Sequence, residues 1–192
     1  NLDIIQNRNG GLMLKKSSIK YLIASLVIAA AVTAGYAAYV GQVVSAVQLY
    51  DVYDKPMAIP HIGSKVVTIM YTDPDVKDVN DPLSNAIKAK NFPASKYAAV
   101  GIANCKVTWI PDAGIRMKSK QKQQQFKDST IMLDTSKALA GAWQLGDCNG
   151  AGVVIVIGKD KKIKYINYVK SADASRAAAN EVLPIIEAEI KK

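Results

Sequence analysis

The sequence predicts a three-layer α/β/α domain with a mixed central sheet, and three observations support this fold class. Hydrophobic residues make up 49% of the 192 residues and charged residues 21%, a balance typical of a chain with a packed core. Short β-branched runs alternate with stretches of helical periodicity, which is the pattern of parallel strands joined by helices. Near the carboxyl end, two β-rich runs are joined by a tight turn, and they predict an antiparallel hairpin.

The first forty residues indicate a targeting segment ahead of the domain. Three lysines within residues 15–20 precede an uncharged apolar run over residues 21–40, which is the order of regions in a secretory signal peptide. Small residues near the end of the run predict cleavage after Ala37, so residues 13–37 are the expected signal peptide. The run is also long enough to be kept as an N-terminal membrane anchor. Residues 1–12 precede the first methionine, and we interpret them as upstream or added sequence.

Both alternatives export the domain, so we expect it in the periplasm, where it is either free or anchored in the inner membrane. The net charge of +9 suggests nucleic-acid binding at first. Subtracting the four basic residues and one acidic residue of residues 1–37 leaves 21 basic against 15 acidic side chains, or +6. There is no stacking stripe and no zinc-finger spacing. We therefore expect no nucleic-acid partner, and membrane contact only through residues 21–40 if the leader stays uncleaved.

Local patterns predict the elements of the domain in order. Residues 43–49 and 57–59 form two short β runs separated by turn residues. The run 65–71, KVVTIMY, shows almost no polar alternation, so we expect a central strand covered on both faces. Asp81 followed by Pro82 predicts a helix with an Asp N-cap and a proline at its first position.

The second half of the chain supplies the remaining elements. They are a strand over 96–103, a helix over 111–125, a strand over 130–134, a short helix through Trp143, hairpin strands over 152–157 and 162–168, and a final helix capped by Ser171. Apolar residues recur in that last helix at spacings of four, three and four, which indicates one buried face. No long linker or internal repeat interrupts this series, so residues 41–192 are predicted to form one domain.

A β-α-β unit, a second helix, a hairpin and a closing helix follow one another in thioredoxin-like folds. Four short motifs then resemble the YtfJ-type family of bacterial periplasmic proteins, within the thioredoxin-like and peroxiredoxin-like superfamily. The motifs are Tyr71-Thr72-Asp73-Pro74-Asp75, Trp109-Ile110-Pro111-Asp112, Gly141-Ala142-Trp143-Gln144-Leu145 and the strand-turn around residues 158–160. The resemblance covers nearly the whole domain. It implies a thioredoxin-like fold, a periplasmic location and, for that family, no defined activity.

The predicted function depends on the absence of sulfur after the central strand. Thioredoxin-type chemistry needs a Cys-x-x-Cys pair at the start of the helix that follows this strand, because the helix N-terminus lowers the pKa of the attacking thiol. Residues 72–78 read TDPDVKD and contain no cysteine, and the Thr and Cys pair of peroxiredoxins is absent as well. We therefore expect a non-enzymatic binding or accessory protein without a cofactor or metal site. Its partner would be a periplasmic protein or a small ligand.

The chain's two cysteines are expected at the same edge of the sheet. Cys105 follows the strand 96–103, and Cys148 precedes the strand 152–157, which is predicted to run in the opposite direction. Sites in such sheets gather at this edge. We hypothesise that the two cysteines form a disulfide. The alternative is a redox-active pair in a thiol-disulfide oxidoreductase or peroxidase.

A small binding cleft at this edge is a further hypothesis. Its candidate residues are Tyr71, Thr72, Asp73, Asp75, Trp109 and Arg116. Asp73, Asp75, Asp78 and Asp81 do not have the spacing of a calcium loop. Helix capping and interaction with the helix dipole are therefore their expected roles.

Overall fold

The computed structural model describes residues 37–192 and, ahead of them, only the backbone of two short antiparallel strands, Ile4–Gln6 and Leu12–Leu14. Most of the predicted leader, residues 13–37, lies outside the described residues. The exceptions are the end of the second strand and Ala37. Within the described part of the chain, no helix is both long enough and apolar enough to cross a membrane.

The residues from Ala37 to Lys192 form one compact unit, whose strands and helices we number from its start. Its strands are β1 (Gln48–Asp51), β2 (Pro56–Ala58), β3 (Val66–Thr72), β4 (Tyr97–Asn104), β5 (Ser129–Asp134), β6 (Gly152–Ile157) and β7 (Ile163–Val169). Its helices are α1 (Asp81–Lys90), α2 (Asp112–Gln125), α3 (Ala138–Trp143) and α4 (Ala172–Glu189), with a 3₁₀ turn at Pro74–Val76. Every element predicted from the sequence is present, and most of the ends differ from the prediction by a few residues at most. The exception is the first β run, which was predicted to begin at residue 43 and begins at Gln48.

All seven strands form one mixed sheet in the order β2-β1-β5-β4-β3-β6-β7. The strands β3, β4 and β5 are parallel to one another, and the remaining pairs are antiparallel. All residues of β3 except Thr72 are buried, which confirms the prediction of a central strand covered on both faces. The β-branched side chains of this strand suit such a position because they pack well on a pleated surface.

Helices cover both faces of the sheet. On one face, Tyr71 and Ile102 belong to a large apolar cluster with Trp143 of α3 and the extended segment before β1. On the other face, Leu83 of α1 and Val182 of α4 share a second cluster with Val66 and Val154 of the sheet. A third, smaller cluster lies under α2 and includes Ile115 and Leu133. This is the predicted three-layer arrangement.

The helix ends agree only in part with the predictions. Ser171 caps α4 as expected, because its hydroxyl accepts a hydrogen bond from the backbone N–H of Ala174 at 3.1 Å. The prediction that Asp81 caps α1 is wrong. Asp81 is the first residue of the helix, and Asn80 occupies the cap position without a capping hydrogen bond. The Asn80 side chain instead donates to the hydroxyl of Thr72, at 2.9 Å.

Candidate functional site

The parallel strands bring their carboxyl ends to one edge of the sheet, where the sequence predicted a site. Thr72 ends β3, Asn104 ends β4 and Asp134 ends β5, with Ala103 paired to Thr72 and Asn104 paired to Asp134. The antiparallel strand β6 begins at this same edge, where Gly152 pairs with Thr72. The loops after β3 and before β6 therefore meet at the position that holds the reactive dithiol in thioredoxin-like proteins.

Asp73 holds these two loops together. Its carboxylate accepts the backbone N–H of Asp75 at 2.9 Å and the backbone N–H of Gly150 at 2.7 Å. Its own N–H donates to the carbonyl of Ala151 at 3.0 Å. The residue is only 3% exposed. Asp73 is thus a buried structural group that caps the 3₁₀ turn, and the sequence was correct in assigning capping to this aspartate.

Two other candidates make contacts that link the edge to neighbouring elements. The carboxylate of Asp75 accepts the hydroxyl of Thr108 at 2.6 Å, which joins the turn after β3 to the loop after β4. The hydroxyl of Thr72 accepts from Asn80 at the start of α1. Both side chains therefore connect segments of the fold.

Tyr71 lies within the core and does not line an open cleft at the edge, contrary to the sequence hypothesis. It is fully buried, and its hydroxyl donates to Asp134 Oδ2 at 3.1 Å. Asp134 is also fully buried and accepts three backbone N–H groups at the start of α3. Burial and the adjacent Asp134 carboxylate raise the pKa of Tyr71 well above its ordinary value. Tyr71 is accordingly a neutral hydrogen-bond donor that supports α3.

Both cysteines lie near this edge, as predicted, but both are buried free thiols in the structure. Their surroundings differ, because Cys148 packs in the large cluster on the Tyr71 face and Cys105 packs under α2. The structure therefore differs from the predicted disulfide, whose formation in the exported protein stays a prediction.

The environment of each thiol disfavours the thiolate. Burial and then the Asp112 and Asp134 carboxylates raise the pKa of Cys105 from 9.0 to about 12, although Arg116 opposes the change. Burial and the adjacent Asp147 raise the pKa of Cys148 from 9.0 to about 11. Because the thiolate is the nucleophile in thiol-disulfide chemistry, these are the surroundings of unreactive cysteines.

The two remaining candidates do not join the others in one cleft. Arg116 forms an ion pair with Asp54 of the β1–β2 turn, with Nη2 and Oδ1 2.9 Å apart. Trp109 is 86% exposed. Of the six residues proposed for the cleft, only Thr72 lines the large cleft that the structure contains.

That cleft has a volume of about 810 Å³ and lies over β4, between α1 and α2. Sequence reasoning missed it, although one signal was present. Ala99, Gly101 and Ala103 repeat at every second position of β4 and give one face of a central strand almost no side-chain volume. In residues 37–192, no group of three or more His, Cys, Asp or Glu side chains is placed to hold a metal ion.

The sheet order, the two helical layers and the edge at the end of β3 define a thioredoxin-like domain. The sequence profile of YtfJ_HI0045, described as a bacterial protein of unknown function, matches residues 61–189, and the chain belongs to this family. An uncharacterised protein of Haemophilus influenzae is 30% identical over 100 residues, which are 51% of this chain. The match covers 53% of that relative, so the chain spans about half of the relative's length.

Solved structures with little sequence identity share the fold. A hypothetical protein from Sinorhizobium meliloti matches with a TM-score of 0.61 and 12% identity, over 81% of this chain and 86% of that chain. A peroxiredoxin-like protein from Aquifex aeolicus matches with a TM-score of 0.55 and 13% identity, over 79% and 90% of the two chains. The thioredoxin domain of a thiol-disulfide oxidoreductase from Bacteroides vulgatus matches with a TM-score of 0.52 and 12% identity, over 76% of this chain and 98% of that domain. These likenesses confirm the predicted fold.

Proposed function

We propose that this chain is an exported, periplasmic thioredoxin-like protein that binds a ligand or partner and carries out no dithiol chemistry. The observation that carries the proposal is Asp73. It stands in the loop where a redox-active thioredoxin has its dithiol, and both of its carboxylate oxygens already accept backbone N–H groups. The raised pKa values of Cys105 and Cys148 add support, because neither thiol is prepared to attack a disulfide or a peroxide.

The test is turnover by the reduced full-length chain in insulin-reduction and peroxide-consumption assays, with an active thioredoxin and an active peroxiredoxin run as positive controls. We expect rates at the uncatalysed background and no change in the Cys105→Ser and Cys148→Ser variants. Turnover above background that is lost in either variant would overturn the proposal.

One observation favours a second candidate, a thiol-disulfide oxidoreductase or peroxidase that uses displaced cysteines. Cys105 directly follows β4 and Cys148 lies in the loop before β6, so both belong to the same edge of the sheet. The assays above decide between the two candidates, since only an enzyme responds to removal of a thiol.

Export is tested separately from chemistry. We expect the protein in the periplasmic fraction of a Gram-negative bacterium that expresses the full chain. N-terminal sequencing of that material should place the first residue after Ala37, and an intact leader in the membrane fraction would support the anchor alternative. Recovery only from the cytoplasm would contradict export.

A further inference from the structure

The face of β4 toward α1 and α2 is partly open to solvent, although β4 has a hydrogen-bonded strand on each side. On the opposite face, Val100 and Ile102 of β4 are at most 2% exposed. The alternating residues Ala99, Gly101 and Ala103 are only partly buried. A parallel strand between two helical layers is normally covered on both faces. The helices α1 and α2 therefore leave a gap over the middle of the sheet.

The packing on this face explains the gap. Its apolar residues fall into two separate clusters, one under α1 and α4 and the other under α2, and the small side chains of β4 lie between them. A methyl group added at Gly101 would come within 2.9 Å of Ile131 Cδ1, so the end of the Ile131 side chain borders the floor at this position. The gap of about 810 Å³ is far larger than the voids of a packed interior and falls in the range of small-molecule sites.

The cleft wall includes two nearly buried side chains that carry polar groups. Tyr97 is 9% exposed and Asn80 is 4% exposed, and both belong to the cleft wall. The Tyr97 hydroxyl lies beside the hydroxyl of Thr68, and the two can pair with each other. Asn80 Oδ1 has no hydrogen-bond partner among the described residues. An unpaired buried polar atom costs about 1–3 kcal/mol, so a water molecule or a ligand group that reached Asn80 Oδ1 would stabilise it.

The charged side chains that line the cleft are four lysines and three aspartates, so their net charge is +1. Lys122 reaches across from α2 to Asp81 at 2.8 Å and Asp78 at 3.5 Å, and Lys77 also pairs with Asp78, so these four charges offset one another. The third aspartate of the lining is Asp128. Lys88 and Lys118 also line the cleft, and neither forms an ion pair within residues 37–192. The Lys88 ammonium instead lies 5.8 Å from the centre of the Phe126 ring. A ligand carboxylate would neutralise these two lysines.

We propose that the cleft between α1 and α2 binds an amphipathic carboxylate. Its apolar body would lie on the Ala99–Ala103 floor, its carboxylate near Lys88 and Lys118, and a further polar group would pair with Asn80. The narrow, straight floor favours a linear acyl chain, because its five residues, Ala99–Ala103, span about 13 Å along β4. This inference rests on the proposed binding function and adds the site and the ligand class.

The test is calorimetric titration of the full-length chain with N-dodecanoylglycine below its micellar concentration. This probe combines an acyl chain, an amide and a carboxylate. Neutral N-dodecanoylglycinamide and cationic dodecyltrimethylammonium keep the chain and change the charge, whereas N-acetylglycine keeps the head group and removes the chain. We expect saturable binding of N-dodecanoylglycine, at least fivefold weaker binding of the glycinamide, and no binding of the other two compounds.

Variants then locate the site. Ala99→Leu places a large side chain on the floor and should weaken N-dodecanoylglycine binding at least tenfold. Ser119→Leu, on the α2 wall, should have the same effect. The second variant keeps the test valid if the first does not fold. Lys88→Gln combined with Lys118→Gln should weaken binding at least fivefold for the carboxylate and leave the glycinamide unchanged. The matched control is Lys159→Gln combined with Lys170→Gln, two exposed lysines that do not line the cleft.

Absence of heat with N-dodecanoylglycine, or binding that Ala99→Leu and Ser119→Leu leave unchanged, would overturn the assignment. A response to an extended apolar peptide alone would identify a peptide groove and overturn it too. These outcomes are distinct from failure of the proposed function, which shows as cysteine-dependent turnover whether or not the cleft binds the probe.

Discussion

Asp134 shows how one side chain decides whether the sheet edge is reactive or structural. Its Oδ1 accepts the N–H groups of Ser136 and Ala138, and its Oδ2 accepts the N–H of Leu139 and the hydroxyl of Tyr71. Four donors thus meet one fully buried carboxylate. Such a group is held in place and has no lone pair free for substrate, so the edge beside β5 supports the fold.

The first prediction concerns this carboxylate. Asp134→Asn should lower the free energy of unfolding by about 2–3 kcal/mol. The amide nitrogen of asparagine cannot accept a hydrogen bond, and it would replace one carboxylate oxygen and face the donors bonded to that oxygen. Tyr71→Phe is the matched control. It removes one hydrogen bond, leaves the backbone contacts intact and should cost about 1 kcal/mol. Urea unfolding of the three proteins checks both values, and equal costs would contradict the four-donor network.

At the scale of one element, the cap of α4 gives the second prediction. The backbone N–H of Ala174 has no partner within the helix and bonds to the Ser171 hydroxyl. Ser171→Ala should therefore lower the free energy of unfolding by about 1 kcal/mol, whereas Ser171→Asp should keep the wild-type value. Thermal and urea unfolding measure the change. A loss in the Asp variant equal to that in the Ala variant would show that the hydroxyl does not act as a cap.

The elements could be predicted from the sequence because each depends on local pattern. The β-branched run of β3, the turn chemistry before β7 and the cap of α4 all act over a few residues, and the structure contains each of them. The sequence did not predict where the side chains of Tyr71 and Arg116 lie, because contacts with residues distant in the chain determine their positions. Tyr71 turns inward toward Asp134, and Arg116 turns toward Asp54. No local pattern reports such pairings.

The cleft over β4 was missed for a different reason. It arises from side-chain volume that is absent on one face of a strand and from two helices that do not meet. The alternating small residues of β4 indicate the missing side-chain volume. The cleft could have been predicted from the side-chain volumes along β4 in addition to its apolar pattern. The second condition depends on how α1 and α2 pack on the sheet, and the amphipathic pattern of each helix alone does not specify that.

At the scale of the whole molecule, the two buried thiols should make the fold sensitive to alkali. In the folded chain the pKa of Cys105 is raised to about 12 and that of Cys148 to about 11, against an ordinary value of 9.0. Below pH 9 both thiols are protonated in either state, and their contribution to stability is fully present. Above pH 9 the thiols of the unfolded chain ionise first, so the free energy of unfolding falls as the pH rises toward 11 or 12.

This third prediction is checked by urea unfolding at pH 8, 9 and 10 with a phosphine reductant. We expect the wild-type free energy of unfolding to fall more steeply than that of a Cys105→Ala and Cys148→Ala double variant, by at most about 1.4 kcal/mol per pH unit for each thiol. Comparison of slopes removes the constant cost of the smaller side chains and the shared contribution of Tyr71. Parallel slopes would contradict buried, protonated thiols. The same series without reductant tests the predicted disulfide, because a bonded pair has no thiol to ionise and would lose the extra slope.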